Sequence, residues 1–215
     1  MDHIERYQEL REAQSSVNNR LLDTLPEGQK GGKVLIAAAR ELGYEIVNDH
    51  TAALPSEAAI DRLYEFLLYE PGKTGKSRAQ KLIEAEYDLD PDEEMVLRAA
   101  VASETSLYQV VAVDKSNATL RLHDLLRDRP DVTITDFAMS ETARVGYLFF
   151  LRVIEIPEVS FCSGAAMAFL SEEKAFLLKK CKRLMKIRNP LMRSRKRYIL
   201  FSELDALIGA PIEYT

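Results

Sequence analysis

Apolar residues recur at helical spacing in five stretches of the first half of the chain. The clearest stretch lies at 57–69, where the apolar positions follow the i, i+3, i+4, i+7, i+8 pattern of an amphipathic helix. These positions are Ile60, Leu63, Tyr64, Leu67 and Leu68. Weaker patterns of the same kind span 2–24, 33–42, 77–86 and 90–103. The sequence therefore predicts about five helices before residue 105.

The stretch that begins at Asp90 also carries a helix-capping signal. Asp is a favoured N-cap residue, Pro91 is suitable for the first helical position, and Glu93 stands where a capping box needs a carboxylate. Alternating carboxylates at Asp88, Asp90 and Asp92 also resemble the start of a calcium-binding loop. That loop needs glycine at the position of Glu93. We therefore predict a capped helix here.

Beyond Ser106 the pattern changes to alternating and β-branched residues, which is typical of strands. The connections are short, whereas parallel strands each need a crossover of about a dozen residues. We therefore predict a small five-stranded antiparallel meander or barrel. Closure into a barrel would leave no exposed strand edge. The predicted strands span 107–113, 118–126, 132–137, 146–156 and 159–169.

A basic amphipathic helix is predicted to follow the strands, from Ser171 to about Arg188. Asn189 and Pro190 are expected to end it, and a short tail at 198–207 completes the chain. The predicted fold class is α+β. It consists of a helical region at 1–104 and, at 105–215, a small antiparallel β region with the C-terminal basic helix and tail.

The composition is that of an ordinary globular protein, with 47% hydrophobic and 29% charged residues. Cys162 and Cys181 are too few for a disulfide framework, so we expect a reducing compartment and two core thiols. The N-terminus lacks the apolar stretch of a secretory signal, and no run approaches the roughly 18 apolar residues of a membrane span. We therefore expect a cytoplasmic protein without a transmembrane segment.

The net charge of −5 conceals an uneven distribution along the chain. Between Lys174 and Arg197 stand eleven of the 29 basic residues and no acidic residue. The other 18 basic residues are set against 34 acidic ones, so the rest of the chain carries a formal charge of −16. Segment 174–197 is therefore the strongest candidate for contact with an acidic ligand.

We predict from this segment a non-enzymatic interaction module that contacts a protein partner or, without sequence preference, nucleic acid. A rival interpretation is that segment 174–197 pairs with the acidic cluster at 84–94, within one chain or between subunits of a homo-oligomer. The candidate binding residues are Lys179, Lys182, Arg183, Lys186, Arg193, Arg195, Lys196 and Arg197.

An enzymatic alternative rests on the segment at 70–77, which ends like a phosphate-binding loop. A true loop needs glycine at Glu70 and a preceding strand, but a helix is predicted there. The other nucleophile candidates, Cys162 and Ser163, lack a glycine-flanked elbow and an assignable histidine. We therefore predict no catalytic residue, no metal site and no cofactor.

Overall fold

The computed structural model describes residues 3–72 and 75–210, and within them the chain has an α+β fold. The helices are α1 (His3–Asp23), α2 (Gln29–Glu41), α3 (Glu57–Tyr69), α4 (Arg78–Glu84), α5 (Pro91–Ala102), α6 (Phe137–Thr142), α7 (Lys174–Cys181) and α8 (Pro190–Ile208). The strands are β1 (Glu45–Asn48), β2 (Thr51–Ala53), β3 (Thr105–Asp114), β4 (Thr119–Asp124), β5 (Val132–Thr135), β6 (Leu148–Glu155), β7 (Ser160–Cys162) and β8 (Met167–Phe169).

The five helices predicted before residue 105 are present as α1 to α5. At the start of α5 the Asp90 carboxylate accepts hydrogen bonds from the amides of Asp92 and Glu93, and the Glu93 carboxylate accepts one from the Asp90 amide. The predicted capping box is therefore confirmed. Helix α2 begins at Gln29, four residues earlier than predicted. Its first turn lies against the Pro26 carbonyl oxygen, and only glycine fits at position 31, because a Cβ atom there would be 2.1 Å from that oxygen.

The main sheet is antiparallel, as predicted, but it is open. Its strand order is β5-β4-β3-β6-β7, and β8 also pairs with β6. The two short strands share one edge of β6, since β8 pairs with 148–150 and β7 pairs with 153–155. Within the described residues neither of them forms a hydrogen-bonded strand pair with β5, so the sheet is not closed. The prediction of a barrel was therefore wrong.

Several strand boundaries also differ from the predictions. Segment 159–169 forms two strands, because Gly164 turns the chain at a φ of 99°. The predicted strand at 132–137 ends at Thr135, since Asp136 caps α6 by accepting a hydrogen bond from the Met139 amide. The β1–β2 hairpin was not predicted because its two strands are short and mostly exposed.

The C-terminal region departs furthest from the predictions. The predicted basic helix at 171–188 consists of a 3-10 turn at 171–173, helix α7 and a second 3-10 turn at 184–186. Asn189 does not end the helical region, because its side chain accepts the amides of Leu191 and Met192 and so caps α8. The predicted tail at 198–207 is therefore part of a nineteen-residue helix.

The interior consists of three groups of buried side chains. One group joins α1, α4 and α5 to the end of β6, and a second joins α2, α3, α7 and α8 to one face of the sheet. The third fills the opposite face of the sheet against α6. In the second group Phe150 of β6 stacks on Phe201 of α8, with ring centroids 4.0 Å apart. Two of the three groups include residues on both sides of 104, and the division of the chain at 104/105 stays a prediction.

A charged side chain lies in the middle of this interior. Arg152 of β6 is 3% exposed and donates from Nε to Glu65 at 2.5 Å and from Nη2 to Glu70 at 2.8 Å. Its Nη1 donates to the Ser103 carbonyl oxygen at 2.7 Å. Glu70 also accepts the hydroxyl of Ser194 at 2.7 Å. One buried network thus joins α3, the end of α5, β6 and α8.

The electrostatics of this network make it sensitive to the loss of its cation. Burial raises the pKa of Glu65, and the Arg152 guanidinium opposes that shift. Burial of an ion pair stabilises a fold little compared with an apolar replacement, but removal of one partner leaves a buried charge uncompensated. The Arg152 cation therefore lowers the cost of a negative charge on Glu65 inside the protein.

We expect Arg152→Leu to lower the free energy of unfolding by about 3–5 kcal/mol near pH 8. The loss should be smaller near about pH 5. A Glu65 pKa above its unfolded-state value means that the folded state is destabilised progressively as the pH rises through the interval between the two values. Without Arg152 the folded-state pKa of Glu65 rises further, so this interval extends to higher pH. Urea unfolding at both pH values measures the effect.

The matched control is Arg98→Leu, which removes an exposed arginine that pairs with Glu94 on α5. This substitution should change the free energy of unfolding by less than about 1 kcal/mol at either pH. An Arg152→Leu loss that is equally small, or that does not depend on pH, would show that the buried carboxylates do not need the cation.

Candidate functional site

The predicted binding residues divide into two sets in the structure. Arg193 and Arg195 are half-buried and Arg197 is 1% exposed. The other five, which are exposed, are Lys179, Lys182, Arg183, Lys186 and Lys196. All eight are predicted candidate binding residues, and five of them are exposed in the structure. Whether they bind a ligand stays a prediction.

The three arginines of α8 are held by contacts within the fold. Arg195 pairs with Glu41 at 2.5 Å, and its guanidinium lies over the Phe66 ring at 4.2 Å from the centroid. Arg197 donates from Nη2 to Glu104 at 3.0 Å, and Arg193 donates to the Ile187 carbonyl oxygen at 3.5 Å. Their charges therefore fix α8 against α2, α3 and the start of β3.

The sequence did contain the signal for this arrangement. Ser194, Arg197, Tyr198, Phe201 and Leu204 recur at helical spacing and are all buried. The prediction leaves this stripe in a tail, because Asn189 and Pro190 also fit the end of the preceding helix. In the structure they are the N-cap and the first residue of α8.

Four of these five exposed residues lie on α7 or in the segment that follows it, and Lys196 lies on α8. We call the six exposed side chains of this segment the basic surface, and among the described residues none of them forms an ion pair. On the other side of the segment Leu177 and Cys181 are buried. The basic surface consists of Lys179, Lys180, Lys182, Arg183, Lys186 and Arg188.

Four cations of the basic surface stay on one side of the chain although α7 ends at Cys181. Lys182 has φ and ψ of −50° and −37°, and Arg183 has −71° and −37°. Both pairs of angles are those of a right-handed helix, so the helical course continues into the turn at 184–186. The spacing of 179, 182, 183 and 186 therefore keeps its predicted one-sided arrangement.

The acidic cluster at 84–94 has other partners. Glu84 pairs with Lys76, Glu94 with Arg98, and the remaining two described pairs reach α1. They join Arg6 to Asp92 at 2.7 Å and Arg20 to Glu93 at 3.1 Å. Within the described part of one chain, these pairs do not involve the basic surface. Pairing between subunits stays a prediction.

An apolar groove of about 400 Å³ adjoins the basic surface. Leu125 and Leu126, in the loop after β4, form one wall, and Leu178 of α7 forms the other. Lys179 and Lys182 lie at its rim. All three leucines are partly exposed. The groove thus places apolar surface directly beside unpaired cations.

The segment at 70–77 does not have the geometry of a phosphate-binding loop. It follows helix α3 and not a strand, and Glu70 is 2% exposed in the Arg152 network. Ser77 caps α4 through the Gln80 amide, and Lys76 pairs with Glu84 at 2.7 Å. Residues 73 and 74 lie outside the described residues.

Cys162 and Ser163 are also unlike nucleophiles. The Cys162 thiol is buried and donates a hydrogen bond to Asp136 at 3.2 Å, and burial together with that carboxylate raises the pKa of the thiol far above its usual value. The side-chain hydrogen bonds described for the histidines join His3 to Thr135 and His123 to Asp131. No described histidine therefore activates either residue.

Comparison with protein families finds a match over the whole chain. A model described as a family of unknown function, DUF7986, matches residues 1–215. The chain belongs to the DUF7986 family. Curated proteins and solved structures give no match to it. In this DUF7986 member no helix of the described residues is long and apolar enough to cross a membrane.

Neighbouring basic residues on α8 offer a test of the division between internal and exposed charges. We expect Arg197→Ala to lower the free energy of unfolding by about 1–3 kcal/mol, because it removes both buried packing and the bond to Glu104. Lys196→Ala should stay within about 0.5 kcal/mol of the unsubstituted protein. Thermal or urea unfolding of the two variants measures this, and equal stabilities would contradict the placement of α8.

Proposed function

We propose that this protein is a non-enzymatic interaction module whose basic surface contacts an acidic ligand, either a polyanion or an acidic segment of a partner protein. The observation that supports the proposal is a group of six exposed cations without an ion-pair partner in the described part of the chain. Elsewhere the same basic segment uses its arginines internally, so this surface has charge that the fold does not need.

The physics of the surface favours attraction without sequence readout. Exposed lysines on a partly helical segment keep flexible, hydrated ammonium groups, which attract phosphates or carboxylates as point charges. Binding of a polyanion there releases counterions, so affinity falls as salt rises. Sequence readout would require rigid contacts to base edges. We therefore expect little preference between nucleic-acid sequences.

The groove beside the surface favours a protein ligand as one form of this partner. An acidic amphipathic segment could place apolar side chains on Leu125, Leu126 and Leu178 while its carboxylates meet Lys179 and Lys182. A nucleic acid would use the cations alone. The proposal therefore covers both ligands, and their dependence on the groove separates them.

We expect the joint substitution of Lys179, Lys182, Arg183 and Lys186 by alanine to weaken binding to duplex DNA and to polyglutamate. Each phosphate contact contributes about −0.9 to the slope of log affinity against log salt, so the slope for DNA should flatten by up to about 3.6. Fluorescence anisotropy with labelled DNA and labelled polyglutamate, over a range of salt concentrations, measures both affinities.

The matched control replaces four other exposed cations that have no described ion pair, namely Lys30, Lys33, Arg40 and Arg144. It changes the net charge equally, so any loss caused by net charge alone would appear in both quadruple variants. The proposal predicts a loss in the first variant only. Equal losses, an unchanged salt slope, or no binding of either polyanion by the unsubstituted protein would contradict it.

A further inference from the structure

A cleft lies on the side of the molecule formed by α1, α3, α6 and the loop between β7 and β8. Its volume is about 520 Å³, which falls in the range of about 300–1,000 Å³ typical of small-molecule sites. Apolar side chains, among them Phe137, Met139 and Phe149, line part of it. The remaining wall carries a small number of polar groups, whose hydrogen bonds show what the cleft could hold.

Arg11 of α1 presents a free hydrogen-bonding edge in this cleft. Its Nη1 donates to the Gln14 side chain at 2.7 Å and to the Cys162 carbonyl oxygen at 2.8 Å. These two bonds use both hydrogens of Nη1 and fix the plane of the guanidinium. Nε and Nη2 have no acceptor, and Arg11 forms no ion pair, among the residues that the structure describes. That edge has the fork geometry that binds a carboxylate with two parallel hydrogen bonds.

Tyr7 provides a second free donor one helical turn away. Tyr7 and Arg11 are four residues apart on α1 and so lie on the same face, and both lie against the Phe161 ring. Tyr7 lines the cleft and is 8% exposed, yet its hydroxyl has no hydrogen-bond partner in the described part of the structure. The hydroxyl is not among the fully enclosed polar atoms that lack a partner. It is therefore accessible and free to donate a hydrogen bond to a ligand in the cleft.

Two of the three carboxylates that line the cleft are already occupied. Asp136 accepts the Met139 amide at 2.9 Å and the Cys162 thiol, and Glu65 accepts Arg152. Neither carboxylate pairs with Arg11. Gly164 lies beside the Arg11 edge, where a Cβ atom would stand 3.8 Å from Nη2. The free donors, and not the carboxylates, thus define this end of the cleft.

We propose that the cleft binds a small organic acid, whose carboxylate meets the Nε and Nη2 edge of Arg11 and the hydroxyl of Tyr7. The apolar part of the acid lies toward Phe137, Met139 and Phe149. The basic surface has no part in this site, so the two ligands are independent.

Thermal shift and calorimetric titration with matched probes test the proposal. The acids are benzoate and hexanoate, the neutral analogues are benzamide and hexanamide, and the cation is benzylamine. We expect at least one acid to bind and to raise the melting temperature, and its amide to bind far more weakly. Arg11→Gln should weaken binding of the acid by about tenfold to one-hundredfold, because it removes a charged, two-pronged contact.

Tyr7→Phe keeps the ring in place and removes only the hydroxyl, so it tests the site even where Arg11→Gln destabilises the fold. We expect it to weaken the acid by about twofold to tenfold. Arg98→Gln, an exposed arginine on α5, is the control and should leave binding unchanged. Equal binding of acid and amide, no effect of Tyr7→Phe, or no binding of either acid would overturn the proposal. Preferred binding of benzylamine would also overturn it and would assign the cleft to the unpaired carboxylate of Asp61.

Discussion

The guanidinium of Arg152 lies between two carboxylates in the interior, and the positions of four elements depend on it. Glu65 lies in α3 and Glu70 directly follows it, the carbonyl oxygen of Ser103 follows α5, and Ser194 of α8 donates to Glu70. A buried cation tolerates little displacement, because each of its partners would become an uncompensated polar group. This network therefore restricts how the helices can pack on the sheet.

The same constraint determines which basic residues are free. On α8, Ser194 donates to Glu70, Arg195 pairs with Glu41 and Arg197 pairs with Glu104. The cations of α7 have no such partners within the described residues and remain exposed. A segment that is uniformly basic in sequence thus supplies structural charges from one helix and an open surface from the other.

Local patterns predicted much of this fold, but long-range contacts limited the prediction. Helices α3 and α5 followed from apolar spacing and from the capping box at Asp90, which both act within a few residues. The open sheet could not be predicted from local patterns, because it depends on two short strands that pair with different parts of β6. Arg152 was not recognised as a central residue, although a lone charge within the apolar run of β6 was a visible signal. Amphipathic spacing predicted a basic side for the segment of α7, whereas the contact of Arg197 with Glu104 joins residues far apart in sequence.

The central claim is that the fold divides its basic segment into internal arginines and free cations. Modification of the native protein with phenylglyoxal, followed by mass spectrometry, tests this claim with one reagent and one residue type. The account predicts rapid modification of Arg183 and Arg188 and protection of Arg152, Arg195 and Arg197 until the protein unfolds. Modification of Arg197 as fast as that of Arg183 in the native protein would contradict it.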